Sequence, residues 1–259
     1  MKIPFTKASA CGNDFLIIDG FRATEDISGL SRRLCDRHNG IGADGVEWLY
    51  QDGADPRIRL INADGSEAEI SGNGTRCVAA YLALQGRTGK MRILTGAGPK
   101  ECELLSHSGN TFEFEADMGK PEIAEPFTVR LKSSVVEGIP VSMGNPHFVV
   151  LVRSFPTAWQ QQAAEVQKQR TFKEGVNVEY VRLNGANAVE AKFFERGVGE
   201  TQSSGTGSCA SAVAVIAARR AGSPVSVQAE GGTQVVRWSG ENVFLRGPAQ
   251  LVCEGEFFV

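Results

Sequence analysis

The sequence predicts an α+β protein of two pseudo-symmetric lobes, each a mixed or antiparallel sheet wrapped around one central buried helix. Three observations predict it. Four short segments recur in one order at a nearly constant spacing. Strand-like runs outnumber helical ones in both halves. One helical run in each half is apolar on nearly every face, and such a helix must be covered on most sides.

The repeat organises the chain, so it comes first. Gly12-Asn13-Asp14-Phe15 resembles Gly144-Asn145-Pro146-His147-Phe148, and each is followed by an apolar run, LIID and VVLV. Gly42-Ala43-Asp44-Gly45-Val46-Glu47-Trp48 resembles Gly175-Val176-Asn177-Val178-Glu179-Tyr180. Ser71-Gly72-Asn73-Gly74 resembles Ser204-Gly205-Thr206-Gly207, and both open helix-like stretches, TRCVAAYLALQ and SCASAVAVIAARR. The offset is 132 to 133 residues throughout. Halves of about 130 residues suit ordinary domain sizes. The pattern breaks near residues 116–122, at Met118-Gly119-Lys120-Pro121. The lobes are therefore drawn as 1–117 and 118–259, with the last strand pattern, Glu254–Val259, assignable to either.

Helices are expected over Ser28–His38, Thr75–Gln85, Ala158–Gln169 and Ser208–Ala221. Thr75–Gln85 and Ser208–Ala221 are the two central ones. Strands are expected at RIRLIN, TFEFEADM, EYVRL, AVEAKFFE and VSVQAE, where β-branched and aromatic residues alternate in part with polar ones.

Composition excludes several function classes. The chain has 259 residues, 42% apolar and 22% charged, with net charge −3. No basic stripe marks a nucleic-acid face. No segment has the apolar length of a membrane span. The opening MKIPFTKASACGNDF lacks the apolar core of a signal peptide. Cys11, Cys35, Cys77, Cys102, Cys209 and Cys253 form no CxxC pair, so they are expected as buried free thiols of a cytoplasmic protein. His38, His107 and His147 are scattered and show no metal-ligand spacing. No bound metal and no nucleic-acid or membrane partner is expected.

Ser-Gly-Asn-Gly and Ser-Gly-Thr-Gly carry the chemistry. Each precedes a helix, whose first N–H groups lack intrahelical partners and whose dipole adds positive charge. Glycine lets an anion approach that backbone. Each loop reads as a carboxylate or phosphate cradle, with ordinary Ser capping as the plain alternative. The glycines do not form a dinucleotide fingerprint, there is no P-loop Lys, and no GxSxG elbow supports a hydrolase. A pseudo-dyad is expected to set the helix ends face to face across one cleft, with Ser71 and Ser204 flanking a ligand. That is what a two-base epimerase needs: one group removes the α-proton and the other delivers a proton to the opposite face.

At this point KASACGNDFLIID, CDRHNGIGADGV, RLINADGSEAEISGNGTRC, MGNPHFVV, GVNVEYV and FFERGVGETQSSGTGSCA resemble successive blocks of the diaminopimelate epimerase family. The resemblance covers nearly the whole chain in order. It implies a cofactor-independent epimerase that interconverts LL- and meso-diaminopimelate in lysine and peptidoglycan synthesis, as a possible homodimer. It also implies that Asn13, Asn62, Asn145 and Asn177 hold the substrate's polar groups, for which turn-making is the plain alternative. Gly72, Asn73, Gly205 and Thr206 would bind the reacting α-carboxylate. Glu195 and Arg196 would grip the distal ammonium and carboxylate. His147 and Glu195 would lie near the acid/base pair.

The departure from the family lies at 71 and 204, where it has cysteines and this chain has serines. A thiol has a pKa near ~8.5 and a hydroxyl is closer to bulk water at ~15.7. The gap of roughly seven units is on the order of 9–10 kcal/mol for forming the base. The ordinary two-thiol mechanism is therefore closed to the pair as written. Three readings stay open. The chain is an epimerase with both cysteines replaced, an isomerase diverged toward another amino acid, or a catalytically silent amino-acid-binding paralogue. A serine hydrolase lacks an identifiable base and orienter.

Overall fold

A computed structural model of the chain describes residues 2–22, 26–173 and 175–259. It divides into two compact units, one running to Ala116 and taking in Gly247–Val259, the other spanning Asp117–Arg246. Each is described by itself.

The first unit contains β1 (Lys2–Ala10), β2 (Asn13–Asp19), β3 (Gly45–Tyr50), β4 (Arg57–Asn62), β5 (Glu67–Ala68), β6 (Lys90–Thr95), β7 (Gly98–Ser108) and β8 (Thr111–Asp117), with helices α1 (Ile27–Cys35) and α2 (Gly72–Leu84). The second contains β9 (Glu122–Ile123), β10 (Phe127–Arg130), β11 (Val135–Ser142), β12 (Pro146–Val152), β13 (Asn177–Gly185), β14 (Ala188–Glu195), β15 (Gly199–Thr201), β16 (Val225–Ala229) and β17 (Gly232–Trp238), with α3 (Trp159–Gln167) and α4 (Gly205–Ala217). The last strand, β18, runs Val243–Phe258 and contributes to both units. It begins eleven residues before the Glu254 start read from the sequence, because Val243, Leu245, Gly247 and Ala249 continue the buried alternation toward the N-terminus.

In the first unit the order β1–β2–β3–β4–β6–β7–β8 is joined through β18, which pairs with both β1 and β8, so the ring closes. Closure leaves no exposed edge. Inside it sits α2. Phe15, Ile17, Leu49, Leu60, Met91, Ile93, Phe114 and Leu251 pack on its Cys77, Val78, Ala79, Ala80 and Leu82. Small side chains along α2 let strands approach on all sides, so it is buried nearly all round. On the outer face of the same strands, Leu16, Ile18, Val46 and Trp48 meet Leu30 and Leu34 of α1. Core on both faces explains why Phe15–Ile18 is an unbroken buried run rather than an alternating one.

The second unit repeats the plan. Residues of β11, β12, β13, β14, β16 and β17 pack on Cys209–Val215 of α4, and Phe148, Val150, Val178 and Tyr180 face Trp159, Ala163 and Val166 of α3. The correspondence extends to strand direction. β2 and β3 pair in parallel, as do β12 and β13. β4 meets β6 in parallel, as β14 meets β16.

The four expected helices are present, but α2 and α4 start three residues earlier than read, at Gly72 and Gly205. Ser71 and Ser204 are their N-caps, with side chains accepting from Gly74 N and Gly207 N. A Ser cap supplies the start signal, and the glycines that looked like loop become the first helical turn. The six cysteines are all free. Five are buried and Cys253 is exposed, an exception to the expected burial because it lies on the outward face of β18. No described helix is long and apolar enough to cross a membrane.

Candidate active site

The start of α2 is held by its N-cap hydrogen bond, Gly74 N–H to Ser71 Oγ at 3.0 Å. A Cβ on Gly74 would stand 2.0 Å from Glu47 Oε1 and 3.2 Å from Ser71 Cβ, so glycine is required for space. Glu47 comes up from the middle of β3, fully buried, and neither carboxyl oxygen has a hydrogen-bond partner among the described residues. Burial pushes its pKa up to about 8. Gly74→Ala is expected to cost about 1–3 kcal/mol, as overpacked cores do. A urea midpoint equal to the parent's would contradict the contact.

Beside this helix end runs a chain of side-chain hydrogen bonds. Buried Arg76 donates through Nη2 to Asn73 Oδ1. Asn73 Nδ2 donates to Asn13 Oδ1 at 2.6 Å, and Asn13 Nδ2 donates to Asp44 Oδ2 at 3.1 Å. Arg37 closes it, binding Asp44 Oδ1 at 2.8 Å and Asp14 Oδ1 at 2.7 Å. Arg37 and Lys7 hold the Asp14 carboxyl below the usual range against the opposing effect of its burial. Asn13 reaches this position because the β1–β2 turn is made by Cys11 and Gly12, both at positive φ. Asn62 is placed differently. It closes the turn after β4, donating to Ser66 Oγ at 3.0 Å while Gly65 N donates to its carbonyl. Ala63 N donates to the Asp44 carbonyl, so this turn abuts the same corner.

In the second unit the equivalent helix end is capped by Gly207 N–H to Ser204 Oγ at 3.1 Å. A Cβ on Gly207 would lie 2.8 Å from Phe193, 2.9 Å from Ser204 Cβ and 3.0 Å from Glu179 Oε1. Glu179 is thus the repeat-mate of Glu47, but it has a partner. His147 Nδ1 lies 2.6 Å from its Oε1, with both side chains buried. His147 Nε2 meets Asn145 Oδ1 at 3.0 Å, and Asn145 Nδ2 donates to Thr206 Oγ1 at 3.4 Å. Because the Asn145 oxygen faces the ring, His147 Nε2 carries the proton. Burial raises the pKa of Glu179, and the neighbouring His147 lowers it.

Glu195, at the end of β14, is also raised, first by burial, while the Ser204 hydroxyl beside it pulls the other way. Ser204 therefore has a carboxyl neighbour that sequence spacing did not reveal. Asn177 serves the backbone here: its Nδ2 donates to the Pro146 carbonyl at 3.0 Å and its Oδ1 accepts from Arg196 N at 2.9 Å. The Arg196 stem lies over Gly175, whose missing Cβ makes room for it.

The first unit thus gathers Asn13, Ser71, Gly72 and Asn73 about one helix end, with Asn62 in the adjoining turn. The second gathers Asn145, His147, Glu195, Ser204, Gly205 and Thr206 about its counterpart, with Asn177 fixing the backbone of Arg196. Sequence reasoning missed Glu47, Glu179, Arg76 and Asp44 as parts of these sites. The signal for the two glutamates was present: both occupy the same place in the second repeated segment, each between two buried apolar or aromatic residues, Val46 and Trp48 in one and Val178 and Tyr180 in the other. Among the described residues no group of His, Cys, Asp and Glu is arranged to hold a metal ion.

The diaminopimelate epimerase family model matches residues 5–124 and 139–252. A diaminopimelate epimerase of Pelotomaculum thermopropionicum is 36% identical, covering 98% of both chains. One from Aromatoleum aromaticum is 38% identical over the full length of both. The fold is shared with more distant solved structures. A PhzF-family phenazine biosynthesis protein of Bacillus anthracis has a TM-score of 0.75 at 16% identity, with full coverage of both chains. A hydroxyproline epimerase of Agrobacterium vitis has a TM-score of 0.72 at 14% identity, covering 99% of this chain and 91% of the other. The chain is an amino-acid epimerase by descent and belongs to the diaminopimelate epimerase family.

Proposed function

We propose that this chain binds diaminopimelate and acts on its α-carbon as a two-base LL/meso epimerase, with positions 71 and 204 as the two proton-handling sites and turnover held back by the serines that occupy them. The single observation that carries this reading is the duplicated arrangement of serine cap, glycine and buried glutamate: Ser71–Gly74–Glu47 in one unit and Ser204–Gly207–Glu179 in the other. Inverting one carbon needs two acid/base positions, and the duplication supplies two. Helix N-terminal N–H groups suit the α-carboxylate and the negative charge that develops when the α-proton leaves. The two units are not chemically equal. His147, Glu179 and Glu195 surround the Ser204 end, whereas the Ser71 end has the lone carboxyl of Glu47.

The test is deuterium incorporation at Cα from LL-diaminopimelate in D2O, by the chain as it is and by the Ser71→Cys, Ser204→Cys form. Absence of exchange in both would sink the epimerase reading. Specificity is checked separately. Arg196 and Glu195 are matched to a distal carboxylate and ammonium, two groups that a monoamino acid does not offer. Arg196→Ala is expected to lower diaminopimelate affinity at least tenfold and to erase its advantage over a monoamino acid. Calorimetric titration showing undiminished selectivity would place the distal site elsewhere.

A further inference from the structure

We infer that Arg76 and Asp44 are positioning residues that together fix the direction of the Asn73–Asn13 amide chain, so that Asn13 offers an N–H rather than a carbonyl to the anionic end of the ligand. This rests on the diaminopimelate-binding reading above. A primary amide carries a donor at one end and an acceptor at the other, and nothing in its shape decides which way it turns. The two ends of this chain decide it. A guanidinium has donors only, so Arg76 compels Asn73 to present its oxygen. Asn73 must then donate its nitrogen to Asn13 Oδ1. Asn13 in turn donates to Asp44 Oδ2, and an ionised carboxylate only accepts. Each end gives the same answer independently.

Both ends are themselves fixed. Arg76 is buried, with its Nε 3.4 Å from the Pro248 carbonyl, and a Cβ at Gly247 would lie 3.3 Å from its Cζ. Asp44 is held by Arg37 and by the Asp14 backbone N–H at 3.1 Å. Of the two amides, Asn73 is buried and Asn13 is partly exposed, its oxygen and one N–H engaged within the chain. The second N–H is the group it turns to a ligand.

The second unit shows that the direction is a choice. There the equivalent pair is Asn145 and Thr206, and the asparagine donates to its partner instead of accepting from it. The repeat-mates of Arg76 and Asp44 are Cys209 and Asn177, neither of which is charged. Asn145 accordingly turns its oxygen to His147. Of the two equivalent asparagines, Asn13 is set with an N–H to spare and Asn145 with its oxygen toward a histidine.

Because either end alone dictates the direction, the test is a double-mutant cycle. Arg76→Gln and Asp44→Asn each replace a one-way group with one that can both donate and accept. Each alone is expected to leave diaminopimelate affinity, measured by calorimetry, within about threefold. Together they release the chain, and a loss above about thirtyfold is expected, well beyond the product of the single effects. Arg76→Lys keeps a donor-only group and is expected to show no such coupling with Asp44→Asn. Simple multiplication of the single effects, or abolition by either one, overturns the inference.

Should Arg76→Gln fail to fold, positions 13 and 44 suffice. Asn13→Asp sets two carboxylates together and should lower the melting temperature. Adding Asp44→Asn restores a donor–acceptor pair and the melting temperature, yet leaves position 13 with no N–H, so binding stays lost. Recovery of binding with stability would refute the assignment. A ligand-free readout separates this from the functional reading: one Asn13 side-chain N–H should exchange slowly with solvent in the parent and fast in the Arg76→Gln, Asp44→Asn form. Slow exchange in a parent that does not bind diaminopimelate upholds the amide chain and sinks the functional reading. Fast exchange in the parent sinks the amide chain.

Discussion

The Ser71→Cys, Ser204→Cys form is expected to exchange the α-proton of diaminopimelate at least 10³-fold faster than the serine chain, on the order of 4 kcal/mol at the transition state. The full difference in forming the base is on the order of 9–10 kcal/mol. Part of it is returned, because a less basic atom is also a weaker proton acceptor. The local structure favours the thiolate further. Gly74 N–H and Gly207 N–H already point at the side-chain atoms of 71 and 204 from helix ends, at 3.0 and 3.1 Å. Such donors lower a thiol's pKa. They cannot bring a hydroxyl into range, and neither can Glu195 beside Ser204, because a carboxylate is a far weaker base than an alkoxide. Restoring one cysteine alone is expected to recover less than a tenth of the gain, since groups that act as a unit fail together. The measurement is the rate of deuterium uptake at Cα by mass spectrometry. A doubly restored chain no faster than its parent would show that these positions do not handle the proton.

The two central helices were legible because an apolar run with no polar face has only one place to go, and Cys77–Ala80, Leu82 and Cys209–Val215 are buried accordingly. The duplication was legible because both halves kept the same glycines for one physical reason: a Cβ at Gly74 or Gly207 collides with the strand beneath. Helix starts were misread where glycine normally signals loop, since the Ser cap outweighs that signal. The long final strand was read short because polar Arg246 and Gln250 on its outward face, and Glu254 past the register shift, interrupt any continuous apolar run. What lay beyond the sequence is which polar groups meet across the ring. Nothing in the spacing of Asn13, Asp44, Asn73 and Arg76 announces one chain of hydrogen bonds, because β2, the β3 approach and α2 come together only on folding. For Glu195 and Ser204 the spacing is equally silent and only the family resemblance set them near each other; the end of β14 and the start of α4 bring them side by side.

Glu47 carries the second large expectation, in stability and its pH dependence. At its place in the repeat, Glu179 is matched by His147, but Phe15 occupies the position corresponding to His147 in the first half. Glu47 is therefore a carboxyl in an apolar core, with Ile17 and Leu60 beside it on the neighbouring strands and Gly74 above. Such a group is cheapest to bury uncharged. Its pKa rises from 4.5 to about 8, and the sign follows from that direction. Below about pH 4.5 folded and unfolded chains both hold the proton, and the group has no pH-dependent effect. Between there and pH 8 the unfolded chain releases it while the folded chain keeps it, so stability falls as pH rises. Well above pH 8 the loss is complete, roughly 5 kcal/mol at ~1.36 kcal/mol per unit. Glu47→Gln removes the titration and keeps the shape. Relative to the parent, the variant is expected to be within about 1–2 kcal/mol at pH 5, allowing for an unpaired buried amide. Its relative stability should then climb by roughly 4 kcal/mol by pH 8.5. Glu179 and Glu195 also titrate upward in the folded chain, but they are common to both proteins and cancel in the difference. Urea unfolding of the pair across pH 5 to 8.5 decides the matter. A difference that stays flat would mean that Glu47 ionises in the folded chain as readily as in water, and that an unseen cation or water compensates it.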